Sequence, residues 1–425
     1  MSIKDRYDVI VIGSGPGGLA AAISAKKNGA KDVLIIERDV EPGGILLQCI
    51  HNGFGVEIFK KDLPGPSYAQ HFINEAFSTG VEFLLDTMVL QITPEKRITA
   101  SSKRHGFVEV RTKAIVLAMG CRERTRAQIR LPGTRAAGIF TAGTAQRWVN
   151  VEGYMPGKNF VILGSGDIGM IMARRLTFEG AHVERVLEVM PYLSGLTRNY
   201  VQCLLDFDIQ LQLQRTIKNI IGKKRVEAIE SVAVDKKWNP IPGTEEIIPC
   251  DTLLLSVGLI PENELSRQIG VMIDPITGGP IVDDSFQTNI PGIFSAGNVV
   301  HVYDLVDWVT EAGLTAGKSA ARWVSSGSQT NAINLPVRAG ENVRYAVPHT
   351  IQPDHLAEGD IRVQMRVRQP IEKPVWVEVR SGEKLLHRKG EPYARPGEMV
   401  TIPIKQKLMD EVKSAKDLTI AIVER

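Results

Sequence analysis

A short apolar run that ends in three regularly spaced glycines constrains the fold of this chain more than any other feature. Residues 9–12 read Val-Ile-Val-Ile, which is typical of a strand buried on both faces of a parallel sheet. Gly13, Gly15 and Gly18 follow, and a helical pattern begins at Leu19. In the dinucleotide-binding fingerprint, the first glycine allows the tight turn, the second lets a pyrophosphate approach the backbone, and the third lets the helix pack on the strand. The first residues of the chain are therefore predicted to form a dinucleotide-binding unit.

The residues that follow support this interpretation. Residues 33–36 form a second apolar strand, and Glu37 lies at its end, 24 residues after Gly13. An acid at that place binds a ribose hydroxyl pair, while free N–H groups at the start of the helix bind the phosphates. The alternative is a glycine-rich turn that binds no ligand. The second strand and its acid make this alternative the weaker interpretation.

The same pattern occurs a second time, and this repeat is the strongest signal of how the chain is organised. An apolar strand at residues 160–163 is followed by three glycines at the same spacing, Gly164, Gly166 and Gly169. A strand over residues 183–189 ends near Glu188, again 24 residues after the first glycine, whereas the alternative acid Glu184 lies further from the strand end. A second dinucleotide is therefore predicted. An acid at this place favours a free 2′-hydroxyl over a 2′-phosphate, and hence NAD(H) over NADP(H).

Composition limits the class of protein. A chain of 425 residues should form two or three domains, and a charged fraction of 23% is ordinary for a soluble protein. The net charge of +3 gives no reason to expect nucleic acid or an anionic membrane as a partner. No apolar run reaches a membrane span, and the first strand begins too early for a signal peptide. We expect a cytoplasmic protein without an integral membrane segment.

The cysteines narrow the chemistry. The chain has four of them, Cys49, Cys121, Cys203 and Cys250, and no two are separated by two residues. The sequence therefore lacks a dithiol redox motif and the ligand sets of zinc or iron–sulfur sites, and no metal is predicted. Disulfide exchange is excluded as the expected reaction.

The rest of the chain contains three further features. Residues 38–66 form a loop-rich stretch with aromatic and apolar residues, a composition typical of a functional loop. A helix with a serine N-cap is predicted over residues 67–79, a β-hairpin over 97–111 and a buried parallel strand over 114–118. A long helix is predicted over residues 305–324. Alanines and glycines keep one of its faces narrow, so that it can lie close against a sheet or a flat cofactor.

The pattern changes near residue 329. Residues 362–368 and 375–380 alternate polar and apolar side chains, and with residues 400–404 and 418–423 they predict a small all-β domain. One face of these strands carries arginines. It could dock an acidic partner, or it could simply be a solvated strand face.

Together these motifs resemble the pyridine nucleotide-disulfide oxidoreductase superfamily of flavoproteins, from Tyr7 to about Ser326. The resemblance implies an α/β fold of two interleaved dinucleotide-binding (Rossmann-like) domains plus a small C-terminal all-β domain. The predicted bounds are 1–122 and 257–328 for the FAD domain, 123–256 for the NAD(H) domain and 329–425 for the β domain. Where the family has Gly-Asp returning to the FAD, this chain has Gly297-Asn298. An amide still forms hydrogen bonds, so FAD binding is retained.

The resemblance also implies which residues hold the cofactors. Non-covalent FAD is assigned to Gly13, Ser14, Gly15, Pro16, Gly18, Glu37, Arg38, Gly43, Gly44, Val89, Gly120, Gly297, Asn298 and Asp304. NAD(H) is assigned to Gly164, Gly166, Asp167, Ile168, Gly169, Glu188 and Gly258. His301 and Asp304 precede the long helix and would border the flavin, because the family aims the N-terminus of that helix at its pyrimidine edge. Asp304 could instead cap the helix.

A closer branch suggests the reaction. Residues 120–124, 141–146 and 297–299 resemble the flavoprotein subunits of hydrogen cyanide synthase, opine oxidase and sarcosine oxidase. The 43–55 loop and residues 304–307 look most like flavoproteins encoded beside type II glycerol-3-phosphate dehydrogenases. The resemblance implies hydride transfer from NADH to the flavin, then electron transfer to a partner protein or small acceptor, with a link to glycerol-3-phosphate metabolism. Two alternatives stay open: an FAD/NAD-binding subunit of an amine, opine or sarcosine-type dehydrogenase complex, and a non-enzymatic assembly subunit. The oligomeric state is left open.

Two residues of the 38–66 loop are candidates for catalysis. Cys49 and His51 lie after Gly43-Gly44, where this superfamily places residues near the flavin. Cys49 could cycle through sulfenic acid as a lone redox thiol, and His51 could contact the flavin. The alternative is that Cys49 is buried and inert, as most isolated cysteines are.

Overall fold

The computed structural model describes residues 3–327 and 334–425. The chain divides into two compact units, one made of Met1–Cys121 with Pro261–Arg425 and the other of Arg122–Ile260. The sequence predicts that the chain passes from one domain to the other after residues 122 and 256. In the structure it passes between the two units after residues 121 and 260. The predicted boundary between residues 328 and 329 lies outside the described residues. Within the described part of the chain, no helix is both long enough and apolar enough to cross a membrane.

The first segment of the discontinuous unit forms most of a seven-stranded sheet. Its elements are β1 (Arg6–Ile12), α1 (Pro16–Lys27), β2 (Val33–Ile36), β3 (Asn52–Phe54), β4 (Leu63–Pro64), α2 (Gly65–Ser78), β5 (Glu82–Leu84), β6 (Thr87–Ile92), β7 (Arg97–Ser102) and β8 (Gly106–Leu117). The strand order is β5-β2-β1-β8-β7-β6. The predicted hairpin and the predicted parallel strand 114–118 share one long strand, β8, which pairs antiparallel with β7 and parallel with β1.

The start of α2 differs from the prediction. The helix begins at Gly65 with Pro64 at the N-cap position and no side-chain cap, so Ser67 lies inside the first turn. Pro66 explains the earlier start, because proline fixes its own φ at a helical value and needs no N–H partner there.

The continuous unit has two sheets of its own. Its elements are β9 (Cys121–Glu123), β10 (Ile139–Thr141), α3 (Ala142–Arg147), β11 (Asn159–Leu163), α4 (Asp167–Phe178), β12 (His182–Glu188), α5 (Thr197–Cys203), β13 (Leu211–Leu213), β14 (Arg215–Ile221), β15 (Ala228–Ala233), β16 (Glu246–Pro249), β17 (Thr252–Leu255) and β18 (Leu259–Pro261). The parallel sheet has the order β10-β17-β11-β12-β13, and β14, β15 and β16 form an antiparallel sheet. The chain passes between the units in β9 and β18.

The chain then returns to the first unit. Here α6 (Glu264–Gln268) is followed by β19 (Ile293–Ser295), which adds to the large sheet beside β8, and by α7 (Val306–Ser326). The narrow face of α7 packs directly on α1. A Cβ on Gly313 would lie 2.2 Å from the carbonyl oxygen of Gly17, and one on Gly317 would lie 2.0 Å from that of Ala21. Only glycine permits this approach of two helix backbones.

The last segment forms two sheets around a separate apolar core. Its elements are β20 (Leu335–Ala339), β21 (Val343–Val347), β22 (Thr350–Ile351), β23 (Ile361–Val367), β24 (Val375–Ser381), β25 (Lys384–Glu391), β26 (Val400–Ile404), α8 (Met409–Ser414) and β27 (Leu418–Glu424). The orders are β22-β20-β27-β24-β25 and β21-β23-β26. The four predicted strands are present as β23, β24, β26 and β27. The sequence did not predict β20, β21, β22 or β25, and the edge strand β25 is mostly polar, without an apolar alternation.

Candidate dinucleotide-binding sites

The first fingerprint forms a cradle at the junction of β1 and α1. Gly13 has a φ of +101°, and a Cβ there would lie 2.4 Å from the carbonyl oxygen of Ala118. A Cβ on Gly18 would lie 1.9 Å from the carbonyl oxygen of Gly13. A Cβ on Gly15, in contrast, would meet no atom within 4 Å. The fold itself therefore requires Gly13 and Gly18, whereas Gly15 faces open space, as a phosphate-binding turn requires.

Ser14 orients the acid at the end of β2. Its backbone N–H and its hydroxyl both donate to Oε2 of Glu37, each at 2.7 Å, and Asp39 N–H donates to Oε1 at 2.8 Å. Ser14 is completely buried, and its carbonyl oxygen accepts a hydrogen bond from Gly43 N–H at 3.0 Å. One serine thus fixes both the carboxylate and the loop beyond it.

The second unit repeats this arrangement at the same sequence offsets. Ser165 donates its N–H and hydroxyl to Oε2 of Glu188 at 2.9 and 2.6 Å, and Met190 N–H donates to Oε1 at 2.9 Å. Ser194 N–H then donates to the Ser165 hydroxyl at 3.0 Å. Glu188 is the last residue of β12, and the alternative acid Glu184 lies within the strand.

Two side chains of the second unit make hydrogen bonds for which the first unit has no counterpart. The Ser194 hydroxyl also donates to Glu188 at 2.9 Å, at the place where the first unit has Gly43. Asp167, where the first unit has Pro16, accepts hydrogen bonds from Leu196 N–H at 2.8 Å and from the Asn199 amide at 2.7 Å. The loop after β12 is therefore fastened to the start of α4.

The remaining predicted cofactor residues lie at the ends of strands or beside them. Gly120 and Gly258 follow β8 and β17, Ile168 is in the first turn of α4, and Val89 is buried in β6. Arg38 is exposed and pairs with Glu262 at 3.0 Å. Gly44 lies against the fingerprint turn, since a Cβ on it would be 2.9 Å from Gly15 Cα.

Asn298 makes one contact within its own loop and one to Cys121 at the start of β9. It follows Gly297, directly after β19 and Ala296. Its amide nitrogen contacts the Cys121 sulfur at 3.8 Å, and its Oδ1 accepts a hydrogen bond from Tyr303 N–H at 3.2 Å.

The two residues predicted to border the flavin face the C-terminal strands. Asp304 does not cap α7, whose N-cap residue is Leu305, without a side-chain cap. Its carboxylate instead pairs with Arg366 of β23, a partner that sequence proximity cannot reveal. The His301 ring lies 4.1 Å from that of Tyr303 and 5.8 Å from that of Tyr345, between centroids. Burial, with the nearby positive charge of Arg366, lowers the pKa of His301 to about 3, so the imidazole is neutral at physiological pH.

The loop with the candidate catalytic residues is held by α7. Buried Asp307 accepts hydrogen bonds from Gly55 N–H at 3.3 Å and Ile58 N–H at 3.0 Å, a role that sequence reasoning missed. Cys49 retains some exposed surface, but desolvation raises the pKa of its thiol to about 12. At neutral pH this thiol is protonated, which disfavours a resting thiolate. The His51 ring lies 5.1 Å from that of Phe54.

No disulfide joins the cysteines within the part of the chain that the structure describes. Nor do residues 3–327 and 334–425 contain three or more His, Cys, Asp or Glu side chains grouped to hold a metal ion.

Known proteins share the arrangement. Residues 7–320 match the family described as pyridine nucleotide-disulphide oxidoreductase. An opine oxidase subunit of Agrobacterium tumefaciens is 26% identical over 317 residues, which cover 70% of this chain but only 62%, less than two thirds, of that protein. Thioredoxin reductase of Listeria innocua is 26% identical over 331 residues, which cover 75% of this chain and 94% of that protein. The crystal structure of T. acidophilum thioredoxin reductase has a TM-score of 0.63 at 21% identity, covering 76% of this chain and 100% of that one. This likeness confirms the predicted α/β fold with two Rossmann-like domains.

Proposed function

This chain belongs to the pyridine nucleotide-disulphide oxidoreductase family and is an FAD-dependent NAD(P)H oxidoreductase, and we propose that NADH is its hydride donor and another protein its electron acceptor. The observation that carries the proposal is the repeat of one hydrogen-bond arrangement around Glu37 and Glu188. Two carboxylates held alike, each beside a glycine turn at a helix N-terminus, are suited to two adenosine riboses.

The first unit fits FAD. The space in front of Gly15 admits a pyrophosphate, and the N–H groups at the start of α1 are available to it. Ser14 keeps the Glu37 carboxylate oriented toward a ribose. When bound, FAD supplies the two-electron chemistry, and the protein supplies position and electrostatics.

The second unit fits NADH better than NADPH. Ser165 and Ser194 together give Oε2 of Glu188 three hydrogen-bond donors, which hold this carboxylate in one orientation. A carboxylate held in this way can accept from ribose hydroxyls but repels a 2′-phosphate. The preference for NADH rests on this charge.

The electrons require an acceptor outside the dinucleotide sites. The four cysteines are too far apart in sequence for a dithiol motif, and desolvation raises the pKa of both Cys49 and Cys250 to about 12. The likeness to the opine oxidase protein, which is itself one subunit of an enzyme, supports a protein partner. It also favours the second candidate, an FAD/NAD-binding subunit of an amine, opine or sarcosine-type dehydrogenase complex. A link to glycerol-3-phosphate metabolism and a cytoplasmic location remain part of the proposal.

Anaerobic mixing of the FAD-loaded protein with NADH tests the proposal. We expect rapid loss of the visible flavin absorbance with NADH and a slower loss with NADPH, followed by slow reoxidation in air and faster reoxidation with an artificial acceptor. A flavin that stays oxidised with both coenzymes would refute the proposed reaction. Rapid and sustained oxygen consumption by the protein alone would refute the need for a partner.

A further inference from the structure

The arginine-bearing strand β23 lies along helix α7 of the same chain. Three ion-paired sites join α7 and the turn before it to β23 and the residues before that strand: Asp304 pairs with Arg366, Glu311 with Arg362 at 2.5 Å, and Lys318 and Arg322 with Glu358 at 2.8 and 2.7 Å. The helix positions rise while the positions on the other segment fall in steps of four. The polypeptide from Glu358 through β23 therefore runs antiparallel to α7.

These ion pairs differ in burial. The side chains of Arg362 and Glu311 are each 43% exposed, whereas those of Arg366 and Asp304 are 16% and 7% exposed. Exposed pairs contribute little because water and salt screen them, but a buried charge whose partner is removed is strongly destabilising. The Asp304–Arg366 pair is thus the contact expected to control the position of the helix start.

Further hydrogen bonds link this pair to the chain just before α7 and to the C-terminal segment. Arg366 also donates to the carbonyl oxygens of Val302 at 3.3 Å and Pro396 at 3.2 Å. Asp304 accepts a further hydrogen bond from Met399 N–H. The C-terminal strands therefore fix the turn that leads into α7 from two sides.

The first turns of α7 form part of the first dinucleotide cradle. A Cβ on Gly17, in the first turn of α1, would lie 3.4 Å from Val309 Cγ1, and a Cβ on Gly297 would lie 3.1 Å from the same atom. Asp307, in the first turn of α7, holds the loop at Gly55 and Ile58. A shift of the start of α7 would therefore move the walls of the cradle.

We propose that Arg366 is a positioning residue for FAD: by pairing with Asp304 it makes the C-terminal β domain a brace that keeps the start of α7 in its place beside the cradle. This inference rests on the proposed function, since it assumes that the first cradle binds FAD. It gives the C-terminal domain a role in cofactor affinity.

The test compares Arg366→Met with Arg362→Met, which removes the exposed pair on the same strand. We expect Arg366→Met to weaken FAD binding at least tenfold in fluorescence titrations and to speed hydrogen exchange of residues 302–309 in the apoprotein. Its bound flavin, at saturating FAD, should have a more negative reduction potential, because the unpaired Asp304 carboxylate disfavours negative charge on the reduced flavin. Arg362→Met should match the wild type in all three measurements.

A double variant keeps the test decisive if Arg366→Met does not fold. Asp304→Asn with Arg366→Met leaves no unpaired charge, so the chain should fold and its flavin potential should return toward the wild-type value, while FAD affinity stays low. Wild-type FAD affinity and wild-type hydrogen exchange in the double variant would overturn the inference. Failure of the wild-type protein itself to bind FAD would instead overturn the proposed function.

Discussion

Substitution of Gly15 by alanine separates ligand binding from folding. Gly15 has a φ of −65° and a ψ of −178°, which alanine also adopts without strain. Because a Cβ there meets no protein atom within 4 Å, the variant should fold normally. A glycine-to-alanine change at such a site raises the free energy of unfolding by about 0.4–1 kcal/mol, because the unfolded chain loses conformational freedom.

The same methyl group should weaken FAD binding. It would stand in the open space through which a pyrophosphate reaches the backbone N–H groups, and hydrogen bonds to a charged group contribute about 1.5–3 kcal/mol each. Loss of one such bond corresponds to a roughly 10- to 100-fold increase in the dissociation constant of FAD.

Urea unfolding of the apoprotein and FAD titration by fluorescence measure the two effects separately. Gly18→Ala is the matched control: its Cβ would lie 1.9 Å from the carbonyl oxygen of Gly13, so it should destabilise the apoprotein by about 1–3 kcal/mol or more. If Gly15→Ala binds FAD as tightly as the wild type, the cradle does not hold the pyrophosphate. If Gly15→Ala lowers the free energy of unfolding as much as Gly18→Ala does, the methyl group at residue 15 clashes with the protein and the space in front of Gly15 is not open.

Three further predictions concern single side chains. Glu188→Gln should raise the dissociation constant of NADH roughly tenfold or more and narrow the preference for NADH over NADPH, because an amide cannot accept from all the donors around Oε2. Equal rates of flavin reduction by both coenzymes in the wild type would contradict the role assigned to Glu188. Cys49→Ser should change the rate of flavin reduction by NADH less than about twofold, since a thiol that stays protonated takes no part in it; a large loss of rate would show otherwise. Asp284, 2.7 Å from His355, raises the pKa of that imidazole. Below the unfolded pKa of about 6.5 this pair contributes fully to stability, and the contribution is lost as pH rises through the folded pKa of His355. The urea midpoints of His355→Gln and of the wild type should therefore converge at high pH. A difference between the two midpoints that stays constant with pH would refute this prediction.

The arginine-bearing face shows why the sequence left two interpretations open. Alternation in residues 362–368 predicts a strand with arginines on one face, but it cannot say what that face meets. In the folded chain Arg362 and Arg366 meet carboxylates of α7 and of the turn before it. The contact with Asp304 therefore accounts for Arg366, which is 16% exposed, whereas Arg362 is 43% exposed and lies on a partly solvated face.

The sequence by itself determined the two fingerprints, the strands before them and the acids at Glu37 and Glu188. These features are local: a tight turn requires glycine, a buried parallel strand requires an apolar run, and a fixed number of residues separates turn from acid. The predicted bounds of most strands therefore lie within a few residues of those in the structure.

Only the tertiary structure decided how these parts are held. Ser14 and Ser165 each orient an acid 23 residues away, and Asp304 finds Arg366 across 62 residues of sequence. Such pairings depend on which strands become neighbours, and no periodicity records that. Burial is also a property of the assembled fold, which is why the protonated state of Cys49 follows from the structure and not from its place in the sequence.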